Sequence, residues 1–201
     1  RYEKESLISI IEKANEHQVT VIIDEAFYDF CEEPYTLLPY IEKFSNLIVL
    51  RSFTKMFAIP GIRLGWLAAS KEMISRLSTL KPHWSVNAVA EKIGECCLQE
   101  EAFVKQTATW LKRERKRVTS ALKEMNFVIS HSSTNYYLLR EQDKQNLEPL
   151  LRFLINKGIT ARHTENFVGL DGRYLRFAVR KQEENDVLLE ALESWRKQCS
   201  S

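Results

Sequence analysis

The sequence predicts an α/β protein: a mostly parallel sheet covered by helices on both faces, followed by a smaller α+β domain. Three observations predict it. Short continuous apolar runs at residues 19–23, 47–50 and 64–69 alternate with stretches of helical periodicity, the pattern of strands buried on both faces. After Pro82 the texture changes to long, charge-dense helical segments and then to short strands interleaved with helices. The 201 residues, 44% hydrophobic and 28% charged, are ordinary globular usage with length enough for a real core.

Leu7, Ile8, Ile11 and Ala14 recur at helical spacing, which predicts a helix over 3–16, and the β-branched run 19–23 that ends at Asp24 predicts a buried strand. A polar connection through Pro34 and Pro39 leads to a short helix over 37–44. A second buried strand, 47–50, runs out at Ser52, and a third apolar segment, 64–69, follows Gly61. Helices are predicted over 88–100 and 101–125, the latter with a solvated face around residues 112–117. Strands follow at 127–130, 136–140, 159–163 and 174–179, with helices over 146–157 and 183–196. The domain boundary is expected in the charged helix, giving domains 1–105 and 106–201. The chain has no internal repeats and no low-complexity segments.

Composition removes several functions. Lys plus Arg number 29 against 27 for Asp plus Glu, so a massed basic surface for nucleic acid is not expected. No apolar run approaches the roughly 20 residues of a membrane helix, and residues 1–6 carry no apolar signal core; a cytoplasmic protein with no membrane partner is expected. Cys31, Cys96, Cys97 and Cys199 have no C-x-x-C spacing, so reduced, mostly buried thiols and no metal site are expected. No glycine precedes Gly61, so phosphate is not bound by a Gly-rich loop near the start.

The chemistry gathers where the buried strands end. Arg51-Ser52-Phe53-Thr54-Lys55 is followed by Ile59-Pro60-Gly61-Ile62-Arg63-Leu64-Gly65, which puts an amine and anion ligands in one loop. Lys55 could hold a carbonyl compound covalently, and Ser52, Thr54 and Arg63 could hold a phosphate. A lone loop lysine is most often merely solvated, and a carboxylate such as Asp24 at a strand end is most often a helix cap. Their combination argues otherwise. Pyridoxal phosphate requires an aldehyde-binding lysine, a carboxylate that keeps its ring nitrogen protonated, and a phosphate cup.

On these residues the chain resembles the fold-type I pyridoxal-phosphate enzymes of the aspartate aminotransferase superfamily, with their Asp-x-x-Tyr strand end, Ser-x-x-Lys loop and Gly-x-Arg-x-Gly context. The resemblance implies the aspartate aminotransferase fold, with part of its large domain in residues 1–105 and its small domain in 106–201. It implies pyridoxal 5'-phosphate as cofactor, Lys55 as the Schiff-base lysine, Asp24 as the ring-nitrogen partner, and Ser52, Thr54 and Arg63 about the phosphate. Phe27 stands where most relatives have a tyrosine that donates to the ring oxygen; that interaction is absent or supplied from elsewhere, Tyr28 being a candidate.

Asp24-Glu25-Ala26-Phe27-Tyr28-Asp29-Phe30, Leu50 to Lys55, Trp84-Ser85-Val86-Asn87-Ala88, Asn135 to Arg140 and Asn166 to Arg180 are most similar to the threonine-phosphate decarboxylase branch, which neighbours histidinol-phosphate aminotransferase. The resemblance implies decarboxylation of L-threonine O-3-phosphate to 1-amino-2-propanol O-2-phosphate in cobalamin biosynthesis, with aminotransferase activity as the alternative. It also implies substrate binding by Arg176 and Arg162 and a homodimer. Arginine's planar fork suits the two anionic groups of an amino-acid phosphate. Arg173 and Arg180 are further arginines in the same stretch, and His83 and His163 are expected to be satisfied structural histidines. Such enzymes carry a phosphate loop, a ring-stacking aromatic and an Asn-Pro-x-Gly turn ahead of these motifs. The chain is therefore expected to be the carboxyl-terminal part of a longer enzyme, inactive by itself.

Overall fold

The structure is a computed structural model that describes residues 2–32 and 34–199. It divides into two compact units, Arg1–Ala108 and Thr109–Ser201. The division falls inside one long helix, Glu101–Glu124, as does the boundary expected after residue 105.

The first unit holds helix α1 (Lys4–Glu16) and strands β1 (Val21–Asp24), β2 (Leu47–Ser52) and β3 (Gly65–Ala69), ordered β1-β2-β3. β1 and β2 run parallel with Val21 opposite Leu47 and Asp24 opposite Leu50. β3 returns antiparallel, with Ser52 opposite Gly65, so the sheet is mixed. The connection explains this: residues 53–64 are spent on helix α2 (Phe53–Met56) and a 3-10 turn at Pro60–Ile62, which leaves no crossover long enough to restart a parallel strand. Ile11 of α1 packs into a core of Leu37, Phe44, Leu47 and Val49. Asn46 ties α1 to the start of β1, its Nδ2 donating to the carbonyls of Ile11 (3.3 Å) and Val19 (2.9 Å). On the opposite face of the sheet Ile22 and Leu67 are exposed.

The short helix predicted over 37–44 is a 3-10 turn at Leu38–Tyr40 followed by hydrogen-bonded turns. Helix α3 (Lys71–Leu80) has no counterpart in the sequence reading. It is announced by Ser70, whose Oγ accepts from the Met73 N–H as an N-cap, and it stops before Pro82. Helix α4 (Ala88–Leu98) starts in the same way, the Asn87 side chain accepting from the Ala90 N–H at 2.9 Å. The long helix, α5 (Glu101–Glu124), follows it.

The second unit is an antiparallel sheet of β4 (Phe127–Ile129), β5 (Tyr136–Glu141), β6 (Arg162–His163) and β7 (Leu175–Ala178), ordered β4-β5-β7-β6, with helices α6 (Glu148–Asn156) and α7 (Gln182–Cys199). Its inward positions, Tyr137, Leu139, Leu175 and Phe177, are buried, with Val118 and Leu122 of α5, Leu150 and Leu154 of α6 and Leu192 of α7 also in the core. The alternation along β5 turns Tyr136, Leu138 and Arg140 to the other face. The two buried carboxylates, Glu114 and Glu141, are paired. Glu141 accepts from Arg196 Nη1 (2.9 Å) and Trp195 Nε1 (3.2 Å), and Glu114 accepts from Arg117 (2.7 Å) and Asn185 (2.8 Å).

Candidate active site

The carboxyl ends of β1 and β2 lie side by side, and the chemistry-bearing residues of the first unit follow from that pairing. Asp24, the last residue of β1, is exposed; its Oδ1 accepts from the Ala26 N–H at 2.9 Å, which turns the chain after the strand. Ser52 ends β2, and its hydroxyl shares a 2.8 Å hydrogen bond with that of buried Thr54 in the first turn of α2. Lys55, one residue on, is exposed, its Nζ standing 5.9 Å from the centroid of the Phe27 ring. Arg63 caps the 3-10 turn in a left-handed conformation (φ 56°), and its Nη1 donates to the Pro60 carbonyl at 3.0 Å. Gly65 then pairs with Ser52 across the sheet, and a Cβ there would sit 2.7 Å from the Arg51 carbonyl oxygen. Only glycine lets β3 approach that closely. All four putting-in-place elements (the Asp24 turn, the Ser52–Thr54 pair, α2 and the Arg63 turn) therefore crowd one rim of the sheet.

Behind this rim lies a buried ion pair that the sequence did not disclose. Arg51 Nε donates to Glu25 Oε2 at 2.8 Å, with 11% and 8% of the two side chains exposed. Glu25 also accepts from Thr36 Oγ1 (2.8 Å) and the Leu37 N–H (2.9 Å). The guanidinium lies 3.5 Å from the Tyr28 ring centroid and 3.7 Å from Asp29 Oδ1. Burial pushes the Asp29 carboxyl above the usual range, against the lowering effect of Arg51. Tyr28 is thus engaged with Arg51. A cleft of about 940 Å³ opens beside the rim, between Phe53 and Trp66 and the segment of His83 and Trp84; Asp24, Lys55 and Arg63 do not line it.

In the second unit Arg176 and Arg162 face each other across β7 and β6. Arg176 is exposed and stands 5.4 Å from the Tyr136 ring; Arg162 stands 5.8 Å from the Phe167 ring and donates to Asn166 Oδ1 at 3.3 Å. Arg173 and Arg180 are tied down locally, the first to the carbonyl of Gly169 (2.6 Å), the second to Glu184 (2.6 Å).

Residues 2–192 match the family model for aminotransferase class I and II. The chain belongs to the class I and II aminotransferase family. A threonine-phosphate decarboxylase of Salmonella typhimurium is 35% identical over 191 residues, 94% of this chain and 52% of the relative. A histidinol-phosphate aminotransferase of Caldanaerobacter subterraneus is 32% identical over the same shares of the two chains. In structure, the histidinol-phosphate aminotransferase from Clostridium acetobutylicum superposes with a TM-score of 0.91 at 32% identity, over 98% of this chain and 60% of that one. The chain spans about half the length of the curated relatives it matches. The fold is that of the aspartate aminotransferases, and the cofactor of the family is pyridoxal phosphate.

The donor set at the rim fits that cofactor. It offers an exposed amine, a carboxylate with one oxygen left outside its turn hydrogen bond, a hydroxyl pair, and an exposed guanidinium that donates to the Pro60 carbonyl. Two expectations are corrected. His83 is exposed and has no hydrogen bond among the described residues, because it sits in the turn between α3 and α4; His163 has a buried Nε2 with no partner and a 3.8 Å approach of Nδ1 to Glu165. Neither is a satisfied structural histidine. Nor are the thiols mostly buried: Cys96 is exposed and Cys31 and Cys97 are half-buried, since α4 turns this pair outward, while the Cys199 side chain lies outside the described residues. Burial raises the Cys97 thiol above its usual value. Among the described residues there is no helix long and apolar enough to cross a membrane and no cluster of metal-ligating side chains.

Proposed function

We propose that this chain is part of a pyridoxal-phosphate enzyme that decarboxylates L-threonine O-3-phosphate to 1-amino-2-propanol O-2-phosphate. Residues 1–105 belong to its cofactor-binding large domain and 106–201 to its small domain. The observation that carries the reading is the gathering of Asp24, Ser52, Thr54, Lys55 and Arg63 on one rim of the first sheet. Lys55 would be the amine that holds the cofactor's aldehyde carbon; Asp24 would hold a proton at the ring nitrogen; Ser52, Thr54 and Arg63 would donate to its phosphate. The bound cofactor supplies an electron sink for the bond broken at the substrate Cα. Arg176 and Arg162 grip the two anionic groups of the substrate, and so decide which bond at Cα is presented for cleavage. Once displaced by the substrate's amine, Lys55 would carry a proton as its ammonium and deliver it to Cα where the carboxylate leaves as carbon dioxide.

Phe27, whose ring stands 5.9 Å from Lys55 Nζ, occupies the Asp-x-x-Tyr position, and by the resemblance a phenylalanine there suits the decarboxylase branch better than the aminotransferase. The structural likeness to a histidinol-phosphate aminotransferase supports a second reading, transamination of a related phosphorylated substrate, in which the Cα proton is removed instead. The decarboxylase reading brings with it a place in cobalamin biosynthesis, a cytoplasmic location and a homodimer. Incubating the full-length protein with pyridoxal phosphate and O-phospho-L-threonine, and measuring carbon dioxide and the amino-propanol phosphate, tests it. Release of carbon dioxide in equal amount to the amine is expected; a keto product without carbon dioxide would replace it with transamination.

A further inference from the structure

Arg176 and Arg162 have a third arginine for company. Leu138 of β5 is opposite Arg176, and Arg176 is opposite Arg162, so all three side chains leave the same face of the sheet. Arg140, two residues beyond Leu138, shares that face. Each of the three guanidinium groups lies against an aromatic ring, Arg140 at 5.6 Å from the centroid of Tyr174. None of the three has a carboxylate partner among the described residues, whereas Arg173 and Arg180 do. Arg140 goes further: its Nε is screened from solvent and has no acceptor among the described residues.

Three cations on one face of three adjacent strands, Arg140 one strand across and two residues along from Arg176, repel one another, and a screened N–H of a charged group without an acceptor is unfavourable. A ligand with about three negative charges removes both penalties. A phosphorylated amino acid carries that charge, one from its carboxylate and nearly two from its phosphate above a second pKa of about 6. We propose that Arg140 is a third anion-binding residue of the substrate site, and that it sets the preference for a phosphorylated over an unphosphorylated amino acid. This rests on the reading that Arg176 and Arg162 bind the substrate.

Calorimetric titration of the cofactor-loaded full-length protein with O-phospho-L-threonine and with L-threonine tests the assignment, using wild type, Arg140→Gln, Arg140→Lys and Arg176→Gln. The Gln variant is expected to weaken phosphothreonine binding by about 10- to 100-fold while changing threonine binding less than about 3-fold. Arg140→Lys keeps the charge but not the fork, so a smaller selective loss is expected; it decides the matter if the Gln variant does not fold. Equal loss for both ligands, or none for either, would overturn the role of Arg140. Loss in Arg176→Gln with no change at Arg140 would remove this inference alone; failure of the wild type to bind phosphothreonine would remove the substrate reading with it.

Discussion

Replacing Arg51 by methionine strips the counter-charge from Glu25 in a place where water cannot replace it. The pair is 2.8 Å apart with 11% and 8% of the side chains exposed, and truncating one partner of such a pair costs roughly 3–5 kcal/mol. Glu25 would keep its hydrogen bonds from Thr36 and the Leu37 N–H, which puts the expected loss near the lower figure, about 3 kcal/mol. Glu25→Gln should be milder, about 1–2 kcal/mol, because Arg51 retains Asp29 at 3.7 Å and the Tyr28 ring. In the double variant the carboxamide is neutral, its oxygen accepts from the Leu37 N–H and its NH2 donates to the Thr36 hydroxyl, so at least about 1.5 kcal/mol of the Arg51→Met loss should be recovered. Urea unfolding of the four proteins gives the coupling directly. An Arg51→Met loss below about 1 kcal/mol, or strictly additive losses, would refute the reading of Arg51 and Glu25 as a coupled, buried ion pair.

Gly65→Ala should destabilise the first unit and lower cofactor affinity, because its Cβ would lie 2.7 Å from a backbone oxygen that cannot move without shifting β2; cofactor titration and urea unfolding check both. Gly94→Ala should be far milder, since the conflicting atom is the end of the Leu64 side chain. Hydrogen bonds from Arg117, and then from Asn185, hold the Glu114 carboxyl below the usual carboxylate range. Its stabilisation is therefore complete above the ordinary value of about 4.3 and is lost as pH falls through the depressed one. The stability gap between wild type and Glu114→Gln, followed by urea unfolding, should be flat above about pH 5 and narrow as pH falls below the ordinary carboxylate value of about 4.3; a gap that widened would reverse the sign.

Much of the rim was legible because buried strands are continuous in sequence and end abruptly: 19–23 stops at Asp24, and 47–50 runs out at Ser52. Lys55 and Arg63 could be read because their chemistry sits in one loop next to those ends. The direction of β3 could not be read from its apolar run, which gives a strand and no orientation; the short connection behind it was the available signal. Helix α3 was missed because its apolar residues are sparse, although the Ser70 cap and Pro82 bracket it. Arg51 and Arg140 were hidden for a common reason. The role of a strand arginine is set by which neighbour its face meets, Glu25 for one and the Tyr174 ring for the other, and that depends on register. The local motif names the residue; only pairing between strands supplies its partner.

The measurement that bears most directly on the account is the visible absorbance of the full-length protein after adding pyridoxal phosphate, wild type beside Lys55→Ala, with circular dichroism to show that both are folded. The account predicts a protein-dependent visible band in the wild type that the alanine variant lacks. A band of equal strength in folded Lys55→Ala, or no band in either protein, would contradict it.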